Sequence, residues 1–316
     1  MHCKIIVLSC LIWVLLFNTP KLDAQSNNYE GIKAWETKES PVDLGYRLEE
    51  GWLKLPGKIK EIIPSAVYVD SNQLIHILNR GTNNNPSIIT VNNNGEFVSQ
   101  IVLKGFKSPH YLTKDKDGNW WVSDSKSHQI NKINEKGEIV FSFGEFGVSG
   151  WDENHFNRPT DIDFLNDGRI LISDGYQNQR IAIFYSNLKY LGEWGKKGTA
   201  PGEFVLPHAL TLGTDGLIYL SDRDGWRVQV FNAKGEVLSV WPHIGKIYEI
   251  VEAPGNCFFC LDGVTGRITK VNSTGEILGF FGTSEVLDKA HGFGVTAEGD
   301  IIVATTAGRL EKYSKK

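Results

Sequence analysis

The sequence predicts an all-β fold, a six-bladed β-propeller of four-stranded antiparallel blades. Three observations carry that expectation. A short string made of Asp-Gly, an apolar run and Ser-Asp recurs along the chain. The residues between its copies follow one plan, and no amphipathic helix of useful length interrupts them.

Clear copies of the string stand at 117–124 (DGNWWVSD), 167–174 (DGRILISD) and 215–222 (DGLIYLSD). Degenerate copies stand at 72–79 (NQLIHILN), 255–262 (GNCFFCLD) and 298–305 (EGDIIVAT). Six units result, spaced by about 40–50 residues, a period typical of propeller blades. In each unit an apolar run of β type precedes the Asp-Gly turn and a second strand follows it. A third strand comes next, as at Gln129–Asn134 and Arg227–Asn232, and a Lys/Thr-Gly-Glu turn at Lys136, Lys234 or Thr274 opens a fourth. Glycine accepts positive φ without steric cost, so these are hairpin turns. Four short strands per period read as blades, and residues 25–316 as one domain.

Residues 1–24 stand apart. Lys4 precedes a 13-residue apolar run, Ile5 to Phe17, and a cut after Ala24 fits the Leu-Asp-Ala that follows Pro20. This reads as a secretory signal peptide, because the run is too short to span a bilayer. The expected location is extracellular or periplasmic. The alternatives are an uncleaved anchor, or lipidation at Cys10 behind only five residues of the run. Charge is mixed along the 316 residues, with a formal net charge of -4, which argues against a nucleic-acid or anionic-membrane partner. The single methionine is Met1, so no thioether ligand is on offer. Cys257 and Cys260 fall in a repeat strand, where a spacing of three puts the two thiols on opposite faces and favours a structural role. A closed ring leaves no sheet edge in need of a partner, so a monomer is expected.

Phase within the repeat carries the functional reading. Seven residues before the first residue of each turn string stand Ser65, His110, Thr160, His208, Tyr248 and His291. Rotation about the propeller axis relates these positions. Histidines on alternate blades therefore form an approximately three-fold ring at the start of the channel-lining strands. Three converging neutral imidazoles with a fourth position open suit catalytic zinc, although other divalent transition metals accept the same ligands. His128 and His155 lie out of phase and are expected to make turn and packing hydrogen bonds.

Just beyond the string's last residue lie Arg80, Tyr176 and Arg223. Two guanidiniums could hold a carboxylate, and a tyrosine beside a metal and arginines could have a lowered pKa and act as a base. Equally, the arginines could pair with neighbouring aspartates while Tyr176 packs in a loop.

The segments Ser-Pro-His110-Tyr-Leu, Asn154-His-Phe with Pro-Thr-Asp, Ser-Asp-Gly-Tyr176-x-Asn-x-Arg-Ile, and Gly-Glu-Phe-x-x-Pro-His208 with Asp-Arg223 occur in this order. Together they resemble the peptidyl-α-hydroxyglycine α-amidating lyases, which are related to NHL-repeat propellers. The resemblance runs from about residue 60 to the end and is strongest at 105–231. It implies cleavage of a C-terminal α-hydroxyglycine into a peptide amide and glyoxylate, without redox change. It also implies Zn2+ on His110, His208 and His291, Tyr176 as the proton acceptor, and Arg80 and Arg223 on the substrate carboxylate or developing charge.

Departures are informative. The family follows its third histidine with an aspartate that helps to hold a structural calcium, and Gly292 stands there instead, which puts Ca2+ in doubt. The family's disulfide positions fall on Asn157, Gln177, Tyr219 and Val230. No copper monooxygenase module precedes the propeller, so another protein is expected to make the hydroxyglycine substrate. Two other readings remain: a metal-dependent hydrolase or lactonase on the same fold, and a non-enzymatic propeller that binds a protein or glycan. Lactonase propellers typically use carboxylate and asparagine ligands, which the histidine ring argues against.

Overall fold

The computed structural model describes residues 43–59, 61–81, 85–283 and 286–315. The expected signal segment 1–24 lies outside them. The described residues form six four-stranded antiparallel sheets, with one short 3-10 turn at Arg223–Gly225. Among them no helix is long and apolar enough to cross a membrane.

Five blades are consecutive in sequence, and in each the first strand is innermost. These innermost strands are Pro64–Val69, Pro109–Lys114, Asp161–Phe164, Pro207–Leu212 and Ile247–Ala253. The sixth blade departs from the expected plan. Its inner three strands are Ala290–Val295, Ile301–Thr305 and Arg309–Lys315, but its outermost strand is Tyr46–Leu48, paired antiparallel with Tyr46 opposite Lys315. The two ends of the propeller are thereby sewn into one sheet. Tyr46 stacks on Phe281 at 4.6 Å between ring centroids and donates its hydroxyl to the Gly299 carbonyl at 2.8 Å.

The core is divided among the blade interfaces. Each of six buried clusters joins neighbouring blades, as where Trp121 and Phe143 of blade two meet Ile162, Ile172 and Phe184 of blade three. Tyr219 and Phe258, of blades four and five, pack with their ring centroids 4.0 Å apart. Burying both faces of each sheet in this way holds the ring closed without a central core. Cys260 belongs to one of these clusters, whereas the Cys257 thiol turns to the Gly255 carbonyl. Both thiols are free, and burial raises the Cys260 pKa, so the thiol there is inert packing.

The polar residues of the repeat hold loops. Asn134 accepts the N–H groups of Lys136 and Glu138, which fixes the Lys-Gly-Glu turn. In several blades the string's last residue accepts backbone donors from the loops at one end of the blade. Asp124 accepts from the N–H groups of Lys107, Ser108 and Ser127, and Asp222 from those of Val205 and Leu206. Asn79 likewise accepts from Ile63 and Gly81. One loop of each pair leads into the innermost strand and the other follows the second strand. The candidate histidines lie in the innermost strands just past the first set of loops, and Arg80, Tyr176 and Arg223 lie on the second set.

Candidate metal centre

A backbone irregularity aims the in-phase side chains. In five innermost strands the register slips by one residue at the same place, between Pro64 and Ala66, Pro109 and Tyr111, Pro207 and Ala209, Ile247 and Glu249, and Ala290 and Gly292. The extra residues of these bulges are Ser65, His110, His208, Tyr248 and His291. A bulge re-aims its side chain and ends regular pairing. Proline before three of them suits the first strand position, where no ladder donor is needed.

The three imidazoles converge. Ring centroids lie 5.0 Å apart for His110 and His208, 4.7 Å for His110 and His291, and 5.6 Å for His208 and His291. One nitrogen of each lies within 4.8 Å of the other two, and no carboxylate joins this group among the described residues. All three are buried, at 4%, 2% and 9% exposure for His110, His208 and His291.

The Nδ1 atoms are engaged in a regular way. His110 Nδ1 lies 2.8 Å from the Thr160 carbonyl, His208 Nδ1 2.7 Å from that of Tyr248, and His291 Nδ1 2.8 Å from that of Ser65. Each acceptor is the residue in the same phase on the next blade. A carbonyl only accepts, so Nδ1 carries the proton in every case and the Nε2 lone pairs face one another. Burial, then His291 and His208, holds His110 well below the usual imidazole range. Burial, then Arg223, does the same to His208, and burial with Arg80 pushes His291 down to about 3. Three neutral imidazoles of one tautomer, each steered by a carbonyl behind it, fit a divalent transition metal.

Tyr176 and Arg80 cover this ring. The Tyr176 hydroxyl lies 2.9 Å from His110 Nε2 and 3.3 Å from His208 Nε2. Arg80 Nη2 donates to His291 Nε2 at 3.2 Å, and its Nε to the Pro109 carbonyl. Arg223 is oriented by Asp224 at 3.1 Å, with its guanidinium 5.6 Å from the Tyr176 ring centroid and 4.7 Å from that of Tyr248. The structure therefore brings all six sequence-derived candidates to one mouth of the channel. Among the described residues, Arg223 pairs with a neighbouring aspartate and Arg80 does not.

With the protein groups alone, burial raises the Tyr176 pKa and Arg223 and Arg80 lower it by less, so the direction is upward; the lowering expected above belongs to a tyrosine beside a bound metal. His128 and His155 do serve as packing and turn residues. His128 Nδ1 accepts the Arg158 N–H, and His155 pairs with Asp152.

Sequence reading passed over two residues. A Cβ on Gly175 would lie 1.6 Å from the Pro207 carbonyl oxygen, so only glycine lets this hairpin pass under the loop before His208 and present Tyr176. Its place between the repeated Asp174 and Tyr176 was the available signal. The second is Arg158, whose guanidinium lies 4.9 Å from the Tyr176 ring centroid. At Gly292 a Cβ would lie 2.6 Å from the Ser65 carbonyl oxygen, so the backbone leaves no room for an aspartate that would help to hold calcium there. Tyr219 stands directly opposite Val230 in adjacent strands, where both pack in the interblade core.

A family described as a 6-bladed beta-propeller matches residues 148–256. The chain is 34% identical over 207 residues to a probable peptidyl-alpha-hydroxyglycine alpha-amidating lyase of Caenorhabditis elegans, covering 61% of this chain and 58% of that protein. It is 30% identical over 258 residues to NHL repeat-containing protein 3 of Homo sapiens, covering 78% of this chain and 71% of that protein. The crystal structure of virginiamycin B lyase from Staphylococcus aureus matches with a TM-score of 0.62 at 16% identity, covering 85% of this chain and 99% of that one. That last likeness concerns the fold alone. The aligned region spans less than two thirds of the nematode lyase.

Proposed function

Because the chain belongs to the NHL-repeat family of β-propellers and has α-hydroxyglycine amidating lyases among its relatives, we propose that it is a metal-dependent lyase. Its reaction is the cleavage of a peptidyl-α-hydroxyglycine into a peptide amide and glyoxylate. The observation that carries this reading is the placement of the Tyr176 hydroxyl against two, and of Arg80 Nη2 against the third, of three Nε2 lone pairs of a single tautomer.

His110, His208 and His291 would hold the metal, and zinc is the ion we propose. A bound divalent ion supplies Lewis acidity toward the substrate hydroxyl. With the Nε2 lone pairs committed to it, the Tyr176 hydroxyl and Arg80 Nη2 lose the acceptors they now use and become available to substrate. Tyr176 Oη, as the phenolate that a bound cation beside Arg80 and Arg223 would favour, takes the proton of the substrate hydroxyl as the carbon–oxygen double bond forms. The C–N bond breaks, its electron pair stays on nitrogen, and Tyr176 gives that proton back to the departing nitrogen as the amide leaves. No electron is gained or lost overall. Arg80 and Arg223 hold the carboxylate that becomes part of glyoxylate, and their charge opposes its escape during the step.

Export through residues 1–24 and a single domain over 25–316 belong to the same proposal, and the hydroxylated peptide would come from a separate oxidising enzyme. The reading is tested by incubating the purified protein with a short peptide ending in α-hydroxyglycine. Glyoxylate and peptide amide should appear in equal amounts, and a chelator should stop both. Intact peptide at the end of the incubation with metal-loaded protein would refute the reading.

A further inference from the structure

The mouth holds more positive charge than one carboxylate requires. Buried arginines elsewhere on these hairpins are matched by acids: Arg180 Nε meets Asp174 at 3.1 Å, and Arg227 Nε meets Asp222 at 2.9 Å. Arg223 has Asp224, which also pairs with Lys246. Arg158 differs. Its Nε is buried without a partner, and among the described residues no carboxylate pairs with it. Its backbone is left-handed, with φ 63, in a non-glycine residue that precedes Pro159. Its carbonyl accepts the Tyr176 N–H at 3.4 Å and its guanidinium covers the Tyr176 ring, so it stands at the edge of the metal centre.

Its surroundings are basic as well. Arg158 and Lys107 both act on His128, whose pKa burial and these two charges lower. Asp124, on the same hairpin as His128, is taken up by the backbone N–H groups of Lys107, Ser108 and Ser127. If Arg80 and Arg223 take the carboxylate of the hydroxyglycine, the guanidinium of Arg158 still faces no anion. The guanidinium is partly exposed, but its Nε is buried without a partner, and a buried donor of this kind is normally matched by the protein or by a ligand.

We propose that Arg158, whose N–H donates to His128 of blade two, forms a second anion subsite between blades two and three that selects substrates bearing a carboxylate on the residue just before the terminal hydroxyglycine. This rests on the lyase reading above. The subsite adjoins Tyr176, so it suits a group one residue away from the reacting carbon.

The test compares acetylated peptides with Glu or Gln before the terminal α-hydroxyglycine, using the full mature chain loaded with metal. The ratio of kcat/KM for Glu over Gln should be about tenfold in the wild type, the scale of one charge-assisted contact, and near one in Arg158→Gln. Arg158→Lys keeps the charge and should retain part of the preference, which guards against a fold defect in the first variant. A ratio near one in the wild type, or an unchanged ratio in Arg158→Gln, overturns the proposal. Calorimetric binding of the unhydroxylated peptides ending in Glu-Gly and Gln-Gly supplies a second readout. If neither hydroxylated peptide yields glyoxylate, the lyase reading fails, and this binding difference still decides the subsite. Tighter Glu-Gly binding that Arg158→Gln abolishes supports the subsite, and equal binding removes it.

Discussion

The Nδ1–H of His110 donates to the carbonyl oxygen of Thr160 at 2.8 Å, and Thr160 holds in blade three the place that His110 holds in blade two. His208 and His291 repeat the relationship with Tyr248 and Ser65. Every candidate ligand on an even blade is thus oriented by the backbone of the next odd blade. The candidate metal centre is a property of ring closure, because each imidazole needs its neighbouring blade in register to present Nε2 inward.

Tyr176 is expected to matter for turnover and not for metal content. Tyr176→Phe removes one hydroxyl from over the ring and leaves all three imidazoles. General acid–base groups contribute about a hundred- to ten-thousandfold in rate, so glyoxylate release should fall within that range. Elemental analysis of the same sample should give the wild-type metal content. A variant with wild-type turnover would remove Tyr176 from the proposed mechanism.

Gly175→Ala should be costly out of proportion to one methyl group. The added Cβ would meet the Pro207 carbonyl oxygen at 1.6 Å, and backbone cannot give way as a side chain can. Overpacking of this kind costs about 1–3 kcal/mol, which a thermal melt resolves. Because Pro207 precedes His208 and Gly175 precedes Tyr176, metal affinity and turnover should fall together. An unchanged melt would show that the hairpin is not held as tightly as this contact implies.

Removing the metal should lower the melting temperature without unfolding the protein at room temperature. In the absence of metal the Nε2 atoms still accept hydrogen bonds from Tyr176 and Arg80, so no buried lone pair is left bare. Linkage gives about 4 kcal/mol of added stability when free metal is a thousandfold above its Kd. Calorimetric melts with added zinc and with chelator measure this difference directly. Coincident melts would mean that the three histidines bind no metal.

Asp163 sets a pH-dependent term inside the channel. Burial, against hydrogen bonds from the Leu212 and Phe164 N–H groups, pushes its pKa up to about 6 from the ordinary 3.8. The folded state therefore holds this proton more tightly than the unfolded chain. The resulting stability is present below pH 3.8 and is lost as pH rises to about 6, with a shift of about two units corresponding to about 3 kcal/mol at most. Asp163→Asn keeps an oxygen for the Leu212 N–H and removes the charge. Its melting temperature relative to wild type should be unchanged near pH 4 and higher near pH 7, and a pH-independent difference would contradict this.

Repetition made the fold and the ligand ring legible. Aligning the six turn strings puts His110, His208 and His291 in one phase, and rotation about the propeller axis then brings them together. What stayed hidden is carried by backbone. The bulges that aim the histidines and the carbonyls that fix their tautomer have no side-chain signature. Tyr46–Leu48 closes the sixth blade against a strand about 265 residues away, where three residues carry too little pattern to announce a pairing. Arg158 escaped notice because it lies two residues before Thr160, a ring position without a histidine.

The most direct test of the metal centre joins two quantities on one sample of residues 25–316, bound metal per chain and glyoxylate released from a peptide ending in α-hydroxyglycine. The wild type should carry about one equivalent of zinc, as a three-histidine site does, and turn over, and His208→Ala should lose both while remaining folded. Full activity in a wild-type sample free of metal, or zinc retained at one equivalent in His208→Ala, would contradict the account.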